Sequence, residues 1–405
     1  MTRIKTFFVL TALVIVGSPL AAQQFEPPKL NAFEYEGLNI DFGAQFTQTF
    51  QSLSHRNAPT AVVPENTLAD IGAGFTLATA NAWFSADVAP ATRVVVETYL
   101  SSRNHNDTWV KGGYLQIDGS PIDNDLLEMA MALTTLKVGM FMPNYGDAHF
   151  RRSDNGNTIG NPFVGNLVLD AFTTEIGGEA YFRLGPAMVM LGVTGGENKG
   201  AITDPSGRSL AFVAKTGFDT RFNEDLRVRL MASSYQNDNA GRATLFWGDR
   251  AGSAYWGVMD TAEQGNAWNG RINPRFTEAI SALQINPFVK FGNLELFGVL
   301  ERAKGRTAQE ADDRTVTQYA GDAIYRLLDD QLYVGARYNT VQGEFSQLGS
   351  DQTVERTALA AGWFISPYVL LKGEFVTQGY SGFDSAGILA GGAFDGFVVQ
   401  GSVAF

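Results

Sequence analysis

The last ten residues, Gly396 to Phe405, limit what this chain can fold into more than any other stretch. Phe397, Val399, Val403 and Phe405 fall on one face at a period of two, with Gly401 among them, whereas Gln400 and Ser402 share the other face with Val398, Gly396 and Ala404. A strand reads this way when one side meets lipid. Soluble sheets alternate similarly, so the deciding feature is the aromatic that ends the chain on the apolar face. Such a last strand pairs with a first one so that no edge is left, and the preceding residues are expected to form the barrel it closes.

The opening residues read as an address. Arg3 and Lys5 precede an apolar run from Phe7 to Val16, followed by Gly17-Ser18-Pro19 and the small pair Ala21-Ala22. The run is too short to cross a bilayer, so residues 1–22 are expected to be a secretory signal peptide cut after Ala22, although Leu20 departs from the small residue preferred three places before the cut. Residues 23–36 then read as a periplasmic N-terminal tether and 37–405 as the barrel. Beyond the signal no apolar run reaches the length of a helical span, which leaves strands open. The absence of cysteine excludes disulfides and thiolate metal sites, and the net charge of −12 argues against a nucleic-acid partner.

Strand-like segments alternate with short and long connections. Their spans are 38–52, 69–88, 92–103, 108–118, 135–143, 171–184, 186–196, 208–222, 225–236, 276–291, 294–303, 314–327, 331–343, 353–365, 368–379 and 395–405. The even count of about sixteen, with short periplasmic turns such as Gly185-Pro186 and Gly292-Asn293 against long extracellular loops, predicts an all-β, antiparallel transmembrane β-barrel. One connection breaks the short-turn rule. Between Gly119 and Thr134, Pro121 and the run Leu126 to Met131 predict a short helix on the periplasmic side.

Charge settles which face is which. In 171–184, Phe172, Ile176, Ala180, Phe182 and Leu184 are assigned to lipid, and Thr173, Glu175, Glu179, Tyr181 and Arg183 to the lumen. In 208–222, Leu210, Phe212, Phe218 and Phe222 point out, and Lys215, Asp219 and Arg221 point in. A charge turned toward the bilayer midplane costs about 2–4 kcal/mol, so this phase is strongly selected. Across all strands, twelve bases against eight acids leave the wall net positive. Arg227 and Arg229, both inward beside Lys215 and Arg221, are expected to form a basic stripe. Interleaved charges of this kind suit a water-filled lumen, and equally a salt-bridge mesh that stiffens a closed barrel.

The stretch from Asn144 to Asp170 combines compact turn chemistry, the aromatics Tyr145, Phe150 and Phe163, and charges of both signs. A loop of this length would be disordered unless packed, so 144–170 is expected to fold into the lumen. There Asp147, His149, Arg151, Arg152 and Asp154 would join the wall residues as a constriction, with Arg151 and Arg152 as its charged edge and Glu175 and Glu179 as their wall partners. Internal pairing of the two arginines with Asp147, Asp154 or Asp170 is also open.

The runs NYGDAHFRRSDNGN, NPFVGN and DAFTTEIGGE, with a late GWF, KGEFVTQ and GGAFDGF before the final Phe405, resemble a family of porin-like outer-membrane proteins of Gram-negative bacteria near the phosphate-selective porin O and P group. The resemblance spans roughly Gly112 to Asp170 and the last fifty residues. It implies the fold and the outer-membrane location; without a ladder of arginines it does not carry over phosphate selectivity.

Enzymatic chemistry is weakly represented. His55 and His105 are assigned to outside loops, and His149 with Asp147 and Ser153 could be drawn as a hydrolase site but lacks a G-x-S-x-G segment, so a hydrogen-bonded loop histidine is favoured. Asp154-Asn155-Gly156 reads as a turn rather than a calcium loop. No catalytic residue, metal or cofactor is expected. The expected partners are outer-membrane lipid, the barrel-assembly machinery acting on Phe405, and small polar or ionic solutes, with a homotrimer open as the assembly. The function expected is a non-enzymatic diffusion channel; a closed barrel with a structural, adhesive or surface-enzymatic role is the alternative.

Overall fold

The computed structural model describes residues 23–30, 35–103, 107–120, 122–200, 207–247, 254–261, 269–346 and 351–405. The expected signal peptide, Pro121 and His105 lie outside these residues. Sixteen long strands form one antiparallel sheet. They are β1 (Asn39–Arg56), β2 (Thr79–Ala89), β3 (Thr92–Ser101), β4 (Trp109–Ile117), β5 (Thr134–Phe141), β6 (Glu175–Leu184), β7 (Ala187–Thr194) and β8 (Ala211–Arg221). The second half comprises β9 (Leu226–Asn237), β10 (Ala279–Phe291), β11 (Leu294–Arg306), β12 (Arg314–Leu327), β13 (Leu332–Gly343), β14 (Gln352–Ser366), β15 (Val369–Ser381) and β16 (Ala393–Ala404). A two-residue piece, Gly74–Phe75, pairs with β1 beyond the start of β2. The strand expected from residue 69 is therefore regular only from Thr79.

Closure follows the pattern read at the C-terminus. β16 pairs with β1 from Gln45↔Ala404 to Arg56↔Ala393, and Phe405 extends the ladder by exchanging two hydrogen bonds with Ala44, at 2.9 and 3.0 Å. Phe397, Val399 and Phe405 are exposed on the outside, while Val398, Gln400, Ser402 and Ala404 are buried inside. The same alternation puts Ile176, Phe182 and Leu184 of β6 outside and Glu175, Glu179 and Tyr181 inside. Phe172 departs from its lipid-facing assignment. It precedes β6, whose ladder begins at Glu175, and is buried beneath the Arg152 guanidinium, 3.8 Å from the ring centroid.

Short turns gather at one end. Gly292, at φ +54°, takes the left-handed conformation that its tight turn between β10 and β11 requires. The expected helix is present as α1 (Asp125–Leu133), capped by Asn124, whose side chain accepts from the Leu127 N–H at 3.0 Å. The interior is the barrel's core, and beside an apolar cluster that includes Val168, Leu169, Tyr235, Tyr255 and Phe394 it buries many polar groups: Lys215, Lys372, Asn286, Gln318 and Asn339 are at most 1% exposed. Buried polar groups persist only when hydrogen-bonded, and what satisfies these is a loop folded inward.

Candidate functional site

The connection between β5 and β6 crosses the lumen and is gripped on several sides. Near its start, the Asn144 N–H donates to Glu179 at 2.7 Å, and the Tyr145 hydroxyl to Glu301 at 2.9 Å. Asp147 receives the Arg229 fork in two bonds of 2.8 Å and the Lys215 ammonium at 2.6 Å. At its tip, Asp154 and Asn157 exchange backbone bonds at 2.8 and 3.0 Å, which confirms the turn read at Asp154-Asn155-Gly156. Gly156 lies so close to β1 and β2 that an added Cβ would sit 2.7 Å from the Ala80 Cα and 2.9 Å from the Gln45 carbonyl oxygen. Asp154 is paired with Lys111 of β4 and accepts from the Tyr99 hydroxyl at 2.5 Å.

The return half is held through its backbone. Lys372 donates to the carbonyls of Thr158, Asn161 and Phe163, each at 2.8 Å. Glu374 accepts from the Val164 and Gly165 N–H groups at 2.8 and 3.3 Å. Arg337, bidentate to Asp322, also donates to the Gly165 carbonyl at 2.9 Å and covers the Phe163 ring. Gln318 binds both backbone groups of Leu169, and Asn339 accepts from the Val168 N–H. A second inward connection, between β9 and β10, meets the first where Ile272 donates to the Val168 carbonyl at 2.8 Å. Its Tyr255 hydroxyl donates to Glu374 at 2.6 Å.

Several expected contacts are replaced by others. Arg152 pairs with Asp170, at 3.0 and 2.6 Å, one of the internal pairings left open, and Arg151 faces Glu295 of β11 at 3.6 Å instead. Glu175 instead accepts from Thr194 and Tyr235, and Glu179 from Asn144 and Tyr181, so neither wall acid meets the arginines as anticipated. The reason is geometric: Arg151 lies across the lumen beside β11, whereas Arg152 stays near the start of β6 over Phe172 and is taken by Asp170. With Arg151 2% and Arg152 9% exposed, they lie inside the packed loop rather than forming an open charged edge.

The expected basic stripe is also neutralised. Arg227 is bidentate to Asp219 at 2.8 and 2.6 Å, and Arg229 and Lys215 share Asp147. Arg183 is half-buried and donates to Thr135 at 2.7 Å; Arg221 is exposed at the short-turn end of β8. His149 lies against Phe150 with ring centroids 3.9 Å apart and the rings tilted, and its buried Nδ1 has no hydrogen-bond partner among the described residues, so it is packed rather than hydrogen-bonded there as expected. Burial and the Lys215 charge push its imidazole down to about 3. Asp147 is engaged by cations, and the Ser153 hydroxyl accepts from Asn161, so these groups are committed to packing instead of a triad. His55, expected in an outside loop, lies in β1, where its Nδ1 accepts from the Met259 N–H at 2.8 Å and fixes the second inward connection.

Sequence reasoning missed the role of residues 23–30. Expected as a tether, this segment enters the short-turn end of the barrel. Phe25 is buried edge-on to Phe150 and Phe288, and Glu26 reaches Lys215 at 3.0 Å and Arg229 at 2.8 Å. Burial opposes ionisation of Glu26, but the two cations outweigh it and hold the carboxyl well below the usual carboxylate range. The available signal was an aromatic beside an acid in a segment otherwise polar and proline-bearing.

No family model and no curated relative matches the chain. Solved structures similar in fold include an anion-selective porin from Comamonas acidovorans, 12% identical, with 91% of this chain and 100% of that one covered at a TM-score of 0.55. The outer-membrane channel DcaP of Acinetobacter baumannii is 11% identical, with 93% and 100% covered and a TM-score of 0.55. A trimer form of in-vitro folded OmpT, an outer-membrane protein of Vibrio cholerae, is 12% identical, with 91% and 100% covered at 0.55. At these identities the likeness is one of fold: a closed antiparallel barrel of sixteen strands.

Proposed function

We propose that this protein is an outer-membrane channel for ions or small polar solutes, with its short turns toward the periplasm and its inward loops controlling the passage. The observation that carries the reading is the combination of a closed barrel, apolar on its outside, with a charged interior crossed by a folded loop. The porin folds it is similar to support the same reading. The finer resemblance, to the phosphate-selective porin group, rests on the motif segments; here most lumen cations are matched with carboxylates and carbonyls, while Lys137 lies over the Tyr114 and Phe141 rings. A homotrimer is a compatible assembly, as one similar fold is described in a trimer form.

The burial of Lys372, Gln318 and Asn339 favours a lumen that is closed at rest, and so gives weight to a structural barrel as the second reading. Planar-bilayer recording separates the two. The parent should show resolved conductance steps, and deletion of residues 147–166 should enlarge them. An inserted, folded parent and deletion variant that both remain silent would leave the structural barrel.

Assembly should depend on the last residue. Removing Phe405 deletes two backbone bonds to Ala44 and an exposed aromatic at the barrel rim. Folded, heat-modifiable protein in the outer membrane should fall severalfold, and unchanged levels would count against the closing-strand role.

A further inference from the structure

The segment from Gln23 to Leu30 is bound as a ligand would be. The Phe25 ring packs with Leu167, Phe288, Phe297 and Val299, and the Arg229 guanidinium lies 4.2 Å from its centroid. The Glu26 carboxylate sits between Lys215 and Arg229 and accepts from the Asn144 amide at 3.2 Å. The Gln23 carbonyl accepts from Arg227 at 2.6 Å, and its side chain spans Arg151 and the Phe150 carbonyl. Farther out, Lys29 donates to the carbonyls of Met131, Ala132 and Thr134 around the end of α1, where a helix leaves acceptors unused. Each contact has a side chain on at least one side, and the segment belongs to no strand ladder.

Charge bookkeeping shows what the segment leaves behind. Lys215, Arg227 and Arg229 share Asp147 and Asp219, so this cluster is left with one positive charge in excess, and Glu26 supplies the missing anion. We propose that Lys215 and Arg229, beside the aromatic shelf of Phe150 and Phe288, form a carboxylate-binding slot whose resting occupant is the chain's own Phe25-Glu26, so that this segment is an intramolecular plug of the short-turn end. A peptide or solute that presents an apolar group next to a carboxylate competes for the slot once the segment withdraws. The slot stands on the contacts alone; its consequence for conduction rests on the channel reading.

The test compares the parent with a barrel lacking residues 23–30. Calorimetry in detergent with the synthetic peptide Gln-Gln-Phe-Glu-Pro-Pro-Lys-Leu should show binding to the truncated barrel and little to the parent. The peptide with Gln in place of Glu should bind about tenfold to a hundredfold more weakly, as loss of charged hydrogen bonds predicts. In bilayers the truncated barrel should conduct more than the parent and be blocked by the Glu peptide from one side only. Peptide binding that ignores the Glu-to-Gln change, or no binding to folded truncated barrel, overturns the slot. Glu-dependent binding with no conductance in either protein keeps the slot and removes the channel. Should truncation impair folding, Glu26→Gln in the full chain gives the same reading: trypsin should cut at Lys29 about tenfold faster, and an unchanged rate overturns the proposal.

Discussion

The two halves of the inward loop are held by different physics. From Asn144 to Asp154 the wall also takes backbone groups, Glu179 the Asn144 N–H and Lys215 the Gly146 carbonyl, but the grip adds charge on charge: Asp147 between Lys215 and Arg229, and Asp154 on Lys111. From Thr158 to Leu169 the wall's charges and amides instead meet backbone groups, as Lys372 does with three carbonyls and Glu374 with two N–H groups. A charge pair can share its partners, and at the first half it does, because Glu26 enters the same cluster. Backbone groups buried away from water have no such freedom and must each keep a partner. The return half is therefore the firmer anchor, and the leading half shares its ion cluster with the N-terminal segment.

Breaking the anchor should have the largest effect. Lys372→Met keeps the side chain's bulk but strands three buried carbonyls, at a total cost of about 3–5 kcal/mol if the loop stayed in place. The loop should undock instead, and trypsin should reach Arg151 and Arg152 in folded barrel that resists cleavage in the parent. Continued protection would mean that the carbonyl cradle is not what holds the return half.

Weakening the leading half should do less. Asp147→Asn retains a hydrogen-bond acceptor for Arg229, and Asp219 and Glu26 still face the cations, so a loss of about 1–3 kcal/mol is expected. The loop should stay docked by its other half, with conductance rising modestly and the open state favouring anions. Complete undocking, measured by the same proteolysis, would erase the distinction between the halves.

The resemblance read in the sequence covers both sides of the anchor without revealing that they touch. The NPFVGN run supplies Phe163, Val164 and Gly165, and the KGEFVTQ run supplies the Lys372 and Glu374 that bind them. The barrel was legible because a period of two with charge on one face leaves few alternatives, and Phe405 marked its closure. The loop's inward course was legible from its length and aromatics. Partner choice was not, because strand phase says which face a charge takes but not which distant acid arrives there. Glu175 and Glu179 follow the loop closely in sequence, yet Arg151 crosses to Glu295 and Lys215 meets an acid from a segment read as a tether.

Acidification should leave the seat of Glu26 nearly untouched over the range where free carboxylates protonate. The folded Glu26 carboxyl titrates below its free value, so its contribution is present at neutral pH and is lost only as pH falls through that lowered value. Around it, Lys215 and Arg229 are cations, Asp147 is likewise lowered, and His149, pushed to about 3, stays neutral. Hydrogen exchange over residues 23–30 at about pH 4.5, near the free glutamate value and corrected for its intrinsic pH dependence, should thus match that at pH 7 within about twofold. A large opening there would show that the cations do not hold Glu26 ionised.

The smallest effect belongs to Arg221, which lies opposite Arg227 in the ladder but is exposed where Arg227 is engaged with Asp219. Its charge is solvated at the short-turn mouth and screened over about 10 Å at 0.1 M salt. Arg221→Glu should therefore change stability by less than about 0.5 kcal/mol and shift the reversal potential slightly toward cations, the shift fading as salt is raised. Changing Arg227 and Arg229 together to Glu would be a different experiment, since it crowds new carboxylates against Asp219, Asp147 and Glu26 and should expel the N-terminal segment. If Arg221→Glu instead exposed Lys29 to trypsin, the cation that seats the segment would have to include the mouth, and the slot would extend beyond Lys215 and Arg229.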